Sequence, residues 1–290
     1  MKKIGIICRD AGAAFFLSNF CKNNKSKYIF SLKKPAIKIF KQEIGLIKNY
    51  SLKEILKNSF CIIIGTGKTD YEKKNINYFI KNNKKVIAYV DHWANFLYRF
   101  TLNNKLIEPD EIWVSDKKTF KISKIIFKKK ITRLKKLKIF NKKIKKIKNN
   151  KINILYLMGL LNNKKKMISI LEKKIQQSEF KSFKNFLKFV KEKKIHLKEK
   201  FSAQIRIHPE ERDQKYIYQK IKKFKFFKIS KNRLLDDLKN SDLIFGGNSA
   251  AMLIAKKINK KIIICLNENR DILNKTFCTV KIKNFKFNEN

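Results

Sequence analysis

Leu243-Ile244-Phe245-Gly246-Gly247-Asn248-Ser249-Ala250-Ala251-Met252-Leu253-Ile254 passes from a short apolar run, through two glycines, into an apolar pattern at helical spacing. A buried strand that turns tightly and opens at once into a helix is half of a βαβ unit. Upstream, Gln204 to Ile207 is a second such run, closed by His208-Pro209-Glu210. Pro209 pushes His208 toward an extended backbone and so toward a strand's carboxyl end, where open α/β sheets bind their ligands. Both ends suit an anion. One offers an imidazole; the other offers small residues opening a helix, where unpaired backbone N–H groups and the helix dipole favour negative charge.

The same alternation runs through the whole chain. Strand-length apolar runs are read at Ile4–Cys8, Tyr28–Leu32, Phe60–Ile64, Lys85–Val90 and Glu111–Val114, with helical patterns at Ala11–Cys21, Ala36–Ile47, Leu52–Leu56 and Thr69–Asn82. The second half repeats it. Strands are expected at Asn153–Met158, Ala203–Ile207, Phe226–Ile229, Leu243–Phe245 and Lys261–Leu266, and helices at Ser182–Lys193, Asp213–Lys223, Leu234–Asn240 and Asn248–Lys257. Continuous rather than alternating apolar runs fit parallel strands covered on both faces. The expected fold class is α/β, with two Rossmann-like domains. Residues 1–148 form the first, ending in a basic helical linker, and residues 149–290 the second, with the boundary near Asn149-Asn150.

Composition bounds the function less than the net charge of +48 suggests. Of 71 basic residues only seven are arginine, and Ile and Asn are abundant. Lysine at solvent-facing sites is what drift toward A/T-rich codons produces, whereas readers of phosphate and bases favour the planar fork of arginine. A nucleic-acid partner is therefore not expected. Against that background the scarce residues carry more information: eight glycines, three prolines and three histidines, six of the glycines just past expected strands. The five cysteines lack C-x-x-C spacing and read as reduced core residues. No run approaches the roughly 18 apolar residues of a membrane span, so a cytoplasmic protein is expected. Lys117–Lys148 carries sixteen Lys or Arg and no acid. Its apolar positions, from Ile122 to Ile147, are roughly helical in spacing, so it reads either as a solvated interdomain helix or as a peripheral contact with the anionic inner face of a plasma membrane.

The stretch Ala203–Leu266, with its His-Pro motif, Leu234-Leu235-x-x-Leu238-x-x-Ser241-Asp242-Leu243-Ile244 and Gly-Gly-Asn-Ser-Ala-Ala, resembles the C-terminal domain of GT-B glycosyltransferases. Its pattern is similar to bacterial sialyltransferases, polysialyltransferases and CDP-glycerol transferases. That resemblance implies two Rossmann-like domains facing across a cleft and a nucleotide-activated donor of CMP, CDP or UDP type, used as substrate with no further cofactor and no metal. It also implies that His208 and Ser249 contact the donor phosphate. The expected donor-holding set is His208, Glu210, Gly246, Gly247, Asn248, Ser249 and Ala250. Asn248-Ser249-Ala250 stands where the sialyltransferase pattern has paired hydroxyl residues, which leaves a CMP donor open.

In the first half, Gly65-Thr66-Gly67, Asp91-His92-Trp93-Ala94-Asn95 with Arg99-Phe100, and Pro109-Asp110-Glu111-Ile112-Trp113-Val114 resemble glycosyltransferase-like proteins of bacterial surface-polysaccharide loci. Gly65 to Thr69 also mimics the end of a P-loop, but Ile62 occupies a position where that motif needs glycine. Transfer to a glycan or lipid-linked acceptor needs a base, and Asp10, or Asp91 with His92, follows a strand in the expected position. Their bland reading is loop capping. His208 would donate to the departing phosphate. The expected function is thus transfer of a sugar to a cell-surface glycan. Its rivals are a UDP-sugar 2-epimerase-like enzyme and a non-enzymatic basic RNA- or membrane-binding protein.

Overall fold

The computed structural model describes residues 2–67, 69–93, 95–135, 151–159, 170–211, 214–222, 226–247, 249–258, 260–265 and 280–282. The chain divides into two compact units, Met1–Asn141 and Lys142–Asn290. Unit 1 begins with β1 (Lys3–Cys8), α1 (Ala11–Cys21), β2 (Tyr28–Leu32), α2 (Ala36–Ile44), α3 (Leu52–Asn58) and β3 (Ser59–Gly65). It continues with α4 (Asp70–Lys81), β4 (Lys85–Val90), a small antiparallel pair β5 (Thr101–Leu102) and β6 (Lys105–Leu106), β7 (Glu111–Val114), α5 (Lys117–Ile126) and β8 (Ile131–Leu134). Its main sheet has the order β2-β1-β3-β4-β7-β8, with every pairing parallel. Parallel neighbours need crossovers, and the helices supply them. The chain leaves β1 to one side for β2 and returns to the other for β3, so the strand order reverses between β1 and β3.

Unit 2 runs β9 (Ile152–Leu157), α6 (Ile170–Glu192), β10 (Phe201–Arg206), α7 (Gln214–Ile221), β11 (Phe227–Ile229), α8 (Leu234–Asn240), β12 (Leu243–Gly246), α9 (Ala250–Lys257), β13 (Lys261–Ile264) and β14 (Val280–Lys281). The sheet order β11-β10-β9-β12-β13-β14 is again parallel throughout and corresponds to the dinucleotide-fold order 3-2-1-4-5-6. Here the reversal lies between β9 and β12. The expected α/β class with two Rossmann-like units holds.

Each core follows from the apolar runs. In unit 1, Ile7, Ile62, Ile64, Val86, Ala88 and Ile112 of the strands pack with Phe79 and Phe100. In unit 2, α6 lays Phe183, Phe186 and Phe189 on Tyr156 and Phe245, with the Tyr156 and Phe186 rings stacked at 4.5 Å. Each fully buried phenylalanine contributes about 1.5–3 kcal/mol of apolar transfer. Polar pins complete the packing: the Tyr156 and Ser182 hydroxyls lie 3.0 Å apart, and Asn185 donates to the Cys265 carbonyl at 2.8 Å. Cys8, Cys21, Cys61 and Cys265 are buried thiols.

One expectation is corrected. The basic segment is not helical from Lys117 onward: α5 stops at Ile126, and Ile131–Leu134 forms the edge strand β8 beside β7. Thr132 is buried with its hydroxyl 2.9 Å from that of Ser123, Arg133 pairs with Glu111, and Lys135 lies over the Trp113 ring. Cationic side chains on an edge strand deter pairing with another chain. Residues 136–148 lie outside the described ones, as does the expected boundary at Asn149-Asn150. Among the described residues, no helix is long and apolar enough to cross a membrane.

Candidate functional site

The carboxyl ends of β1, β3 and β4 bring together charged groups that the sequence places far apart. Asp10 follows β1 and caps α1, its Oδ1 accepting from the Ala13 N–H at 2.9 Å. Asp91 follows β4 and is buried against Arg99, which donates to its Oδ1 at 2.8 Å and to the Thr66 carbonyl at 2.8 Å. Arg99 reaches them from a 3-10 turn, Leu97–Phe100, and is itself only 1% exposed. Its second guanidinium nitrogen lies 3.1 Å from His92 Nε2, which is 3.7 Å from Asp91 Oδ2. A guanidinium only donates, so the imidazole nitrogen facing it accepts. The Ser115 hydroxyl donates to the Asp91 carbonyl and fixes the turn.

Two glycines make this crowding sterically feasible. A methyl group at Gly12 would lie 2.0 Å from Asp91 Oδ2 and 3.2 Å from Asp10 Oδ1; one at Gly67 would lie 2.8 Å from Asp10 Cβ. Both carboxyl groups therefore share one small space. Burial pushes Asp10 up, and the charge of Asp91 adds to the effect. Burial also raises Asp91, with Arg99 opposing. Glu72, in the first turn of α4, is fully buried, receives the Thr69 hydroxyl and is pushed up to about 7, chiefly by desolvation. Carboxyls whose charged form is disfavoured by burial, set beside Arg and His, are candidates for proton transfer.

The corresponding edge of unit 2 has a different character. His208 stands two residues past β10, and the Glu210 N–H donates to its Nδ1 at 3.2 Å. With Nδ1 accepting, the neutral ring carries its proton on Nε2 and presents a donor there. The Glu211 N–H donates to the His208 carbonyl at 2.9 Å, closing the turn around Pro209 and half-buried Glu210. Gly246 ends β12 where a methyl group would meet the Leu157 carbonyl at 2.8 Å. Ser249 caps α9, its hydroxyl accepting from the Met252 N–H at 3.3 Å; Asn248 lies outside the described residues. The amides of Ala250 and Ala251 then belong to the first helical turn, whose N–H groups lack intrahelical acceptors.

Register sets these elements side by side. Arg206 pairs with Leu157, which pairs with Gly246, so the ends of β10, β9 and β12 lie in one row. His208 and Ser249 thus emerge from the same edge with β9 between them, their strands roughly 10 Å apart. A third group enters from α6. Glu179 is 3% exposed, and its carboxylate lies 2.3 Å from where a methyl at Gly159 would be and 2.7 Å from one at Gly247. Among the described residues, no group of three or more His, Cys, Asp or Glu is placed to hold a metal ion.

The sequence matches no protein-family model and no curated protein. Solved structures do match. The S. aureus MnaA–UDP co-structure superposes with a TM-score of 0.62 at 14% identity, over 91% of this chain and 79% of that one. UDP-GlcNAc 2-epimerase from Neisseria meningitidis, bound to UDP-GlcNAc, gives 0.61 at 11% identity, over 97% of this chain and 89% of that one. A further UDP-N-acetylglucosamine 2-epimerase gives 0.54 at 10% identity, over 97% and 83%. The chain shares their fold.

Of the residues singled out by sequence, Asp10, Asp91 and His92 gather on the unit 1 edge, while His208, Glu210, Gly246, Gly247, Ser249 and Ala250 gather on the unit 2 edge. Glu72 and Glu179 escaped the sequence reading, and Arg99 entered it only within a resemblance. Arg99 carried a signal, as one of seven arginines in a lysine-rich chain. Glu72 had a weaker one, the Thr69-x-x-Glu72 spacing of a capping box. Glu179 had none.

Proposed function

We propose that this chain is an enzyme acting on a nucleotide-activated sugar, and that its reaction is epimerisation at the carbon next to the anomeric centre. The observation that carries this reading is the Asp10–Asp91 pair, held in one pocket of space with Arg99 and His92. Inverting a C2 centre requires a proton to leave one face and return to the other. The C2–H bond of a glycosyl diphosphate is not acidic, so proton removal must accompany departure of the diphosphate. A carboxylate takes the C2 proton, the C1–C2 double bond forms, and the C1–O electron pair leaves with the nucleotide. Re-addition with protonation on the opposite face restores the donor as its epimer. Such chemistry calls for two proton-transfer groups, one reaching each face of C2, whereas transfer to a hydroxyl acceptor calls for one.

The donor phosphate is assigned to the unit 2 edge, where His208 Nε2–H and the first-turn amides of α9 can stabilise the charge that develops on the leaving diphosphate. Glu210, Gly246, Gly247 and Asn248 belong to the same assignment. UDP is the favoured nucleotide, because two structures of this fold are named as complexes with UDP or UDP-GlcNAc and cover nearly the whole chain. Glycosyl transfer to a surface glycan is the second reading, favoured by the His-Pro and Gly-Gly-Asn-Ser-Ala-Ala motifs. Proton NMR in deuterium oxide separates them. With UDP-GlcNAc and no acceptor, an epimerase exchanges the C2 proton for deuterium and a second set of sugar signals grows in. UDP release only on addition of a glycan acceptor, with C2 fully protonated, would overturn epimerisation in favour of transfer.

A further inference from the structure

Glu179 is unlike the other groups at the unit 2 edge. It comes from the middle of α6, and it brings a carboxyl group to a place assigned to an anion. The helix is pinned to the sheet by Ser182 against Tyr156 and by Asn185 on the Cys265 carbonyl, so the position of Glu179 follows from its packing. Its carboxylate touches both glycine turns at the strand-order reversal, Gly159 after β9 and Gly247 after β12. Not even a methyl group fits between that carboxylate and either glycine. A phosphate oxygen approaching those backbones from the same side has no room while Glu179 is there.

We propose that Glu179 is a further residue of the donor site, an internal carboxylate that fills the space between the two glycine turns and must give way when a donor phosphate binds. This rests on the assignment of donor phosphate to the unit 2 edge. The physical logic is exchange of one anion for another. A carboxylate seated between the two turns holds the space a phosphate would take, and its repulsion of a bound diphosphate favours product release. Its charge therefore sets anion affinity directly: two like charges a few ångströms apart at a partly buried site repel strongly enough to change binding by about tenfold or more.

The test is calorimetric titration of the full chain and of Glu179→Gln with UDP and, separately, with inorganic pyrophosphate. The inference predicts that both probes bind the variant about tenfold or more tightly than they bind the parent chain. Equal or weaker binding of both probes by a folded variant overturns it. If pyrophosphate tightens and UDP binds neither protein, Glu179 acts as inferred and the nucleotide reading fails. If UDP binds both proteins equally, the nucleotide reading stands and the inference fails. Should Glu179→Gln not fold, Glu179→Asp withdraws the carboxylate by one methylene, about 1.5 Å, and an intermediate tightening is expected; no tightening overturns the inference.

Discussion

The two sheets are alike in plan and differ in strand order and in the groups at one edge. Both are six-stranded and parallel, both reverse strand order once, and both present loops at the carboxyl ends of the strands flanking that reversal. In unit 1 the segments after β1 and β4 carry Asp10, Asp91, His92 and Arg99, with Glu72 behind them, all in close electrostatic contact. In unit 2 they are made of Gly159, Gly246, Gly247 and a capped helix start, with His208 and one inserted carboxylate, Glu179. The backbone plan is indifferent to this choice. Under the proposed reading one edge moves protons and the other holds an anion, and side chains carry that difference.

The strongest way to break the contrast is to remove Arg99. Arg99→Ala leaves Asp91 buried without its guanidinium, and breaking a buried ion pair from one side costs about 3–5 kcal/mol. Both tryptophans, Trp93 and Trp113, lie in unit 1. Urea unfolding followed by tryptophan fluorescence should therefore shift to much lower denaturant. An unchanged midpoint would mean that the pair does not hold the unit 1 edge together.

Glu72 gives a smaller effect with a definite sign. Its folded value of about 7 exceeds its ordinary 4.5, so the folded state holds the proton more tightly than the unfolded chain does. The associated stability is fully present below about pH 4.5 and is lost as pH rises through about 7. Glu72→Gln removes that loss. The same fluorescence measurement should find the variant and parent similar at pH 4, with the variant more stable at pH 8 by up to about 3 kcal/mol. A pH-independent difference would refute a buried, proton-holding Glu72.

On the unit 2 side, Ser249→Ala removes the cap of α9. It should cost about 1 kcal/mol, visible as lower amide protection in α9 by hydrogen exchange with unit 1 unaffected. Loss of protection in both units would show that the two edges are not energetically separable.

Much of this architecture is legible in the sequence because apolar runs and their terminators are local. Ala11–Cys21 and Tyr28–Leu32 occur at the residues read for them, since Asp10 caps the one and an unbroken apolar run defines the other. Ile131–Leu134 misled because lysine-rich spacing imitates a helical face, while the pairing of Arg133 with Glu111 that fixes the strand is long-range. The start of α6 was missed because Ile170 to Ser178 has no strong apolar periodicity. Candidate site residues were visible wherever they follow a strand directly, as Asp10, Asp91 and His208 do. Glu179 meets Gly247 across 68 residues of sequence, and no local pattern announces such a contact.

The division of labour between the two edges is tested most directly by calorimetric titration of UDP into the parent chain, His208→Ala and Asp10→Asn. The account predicts that His208→Ala loses UDP affinity by about tenfold or more, the scale of a lost hydrogen bond to a charged group. Asp10→Asn should bind UDP as the parent does while exchanging no deuterium into UDP-GlcNAc. Unchanged UDP affinity in His208→Ala, or its loss in Asp10→Asn instead, would contradict the assignment of phosphate to one edge and proton transfer to the other.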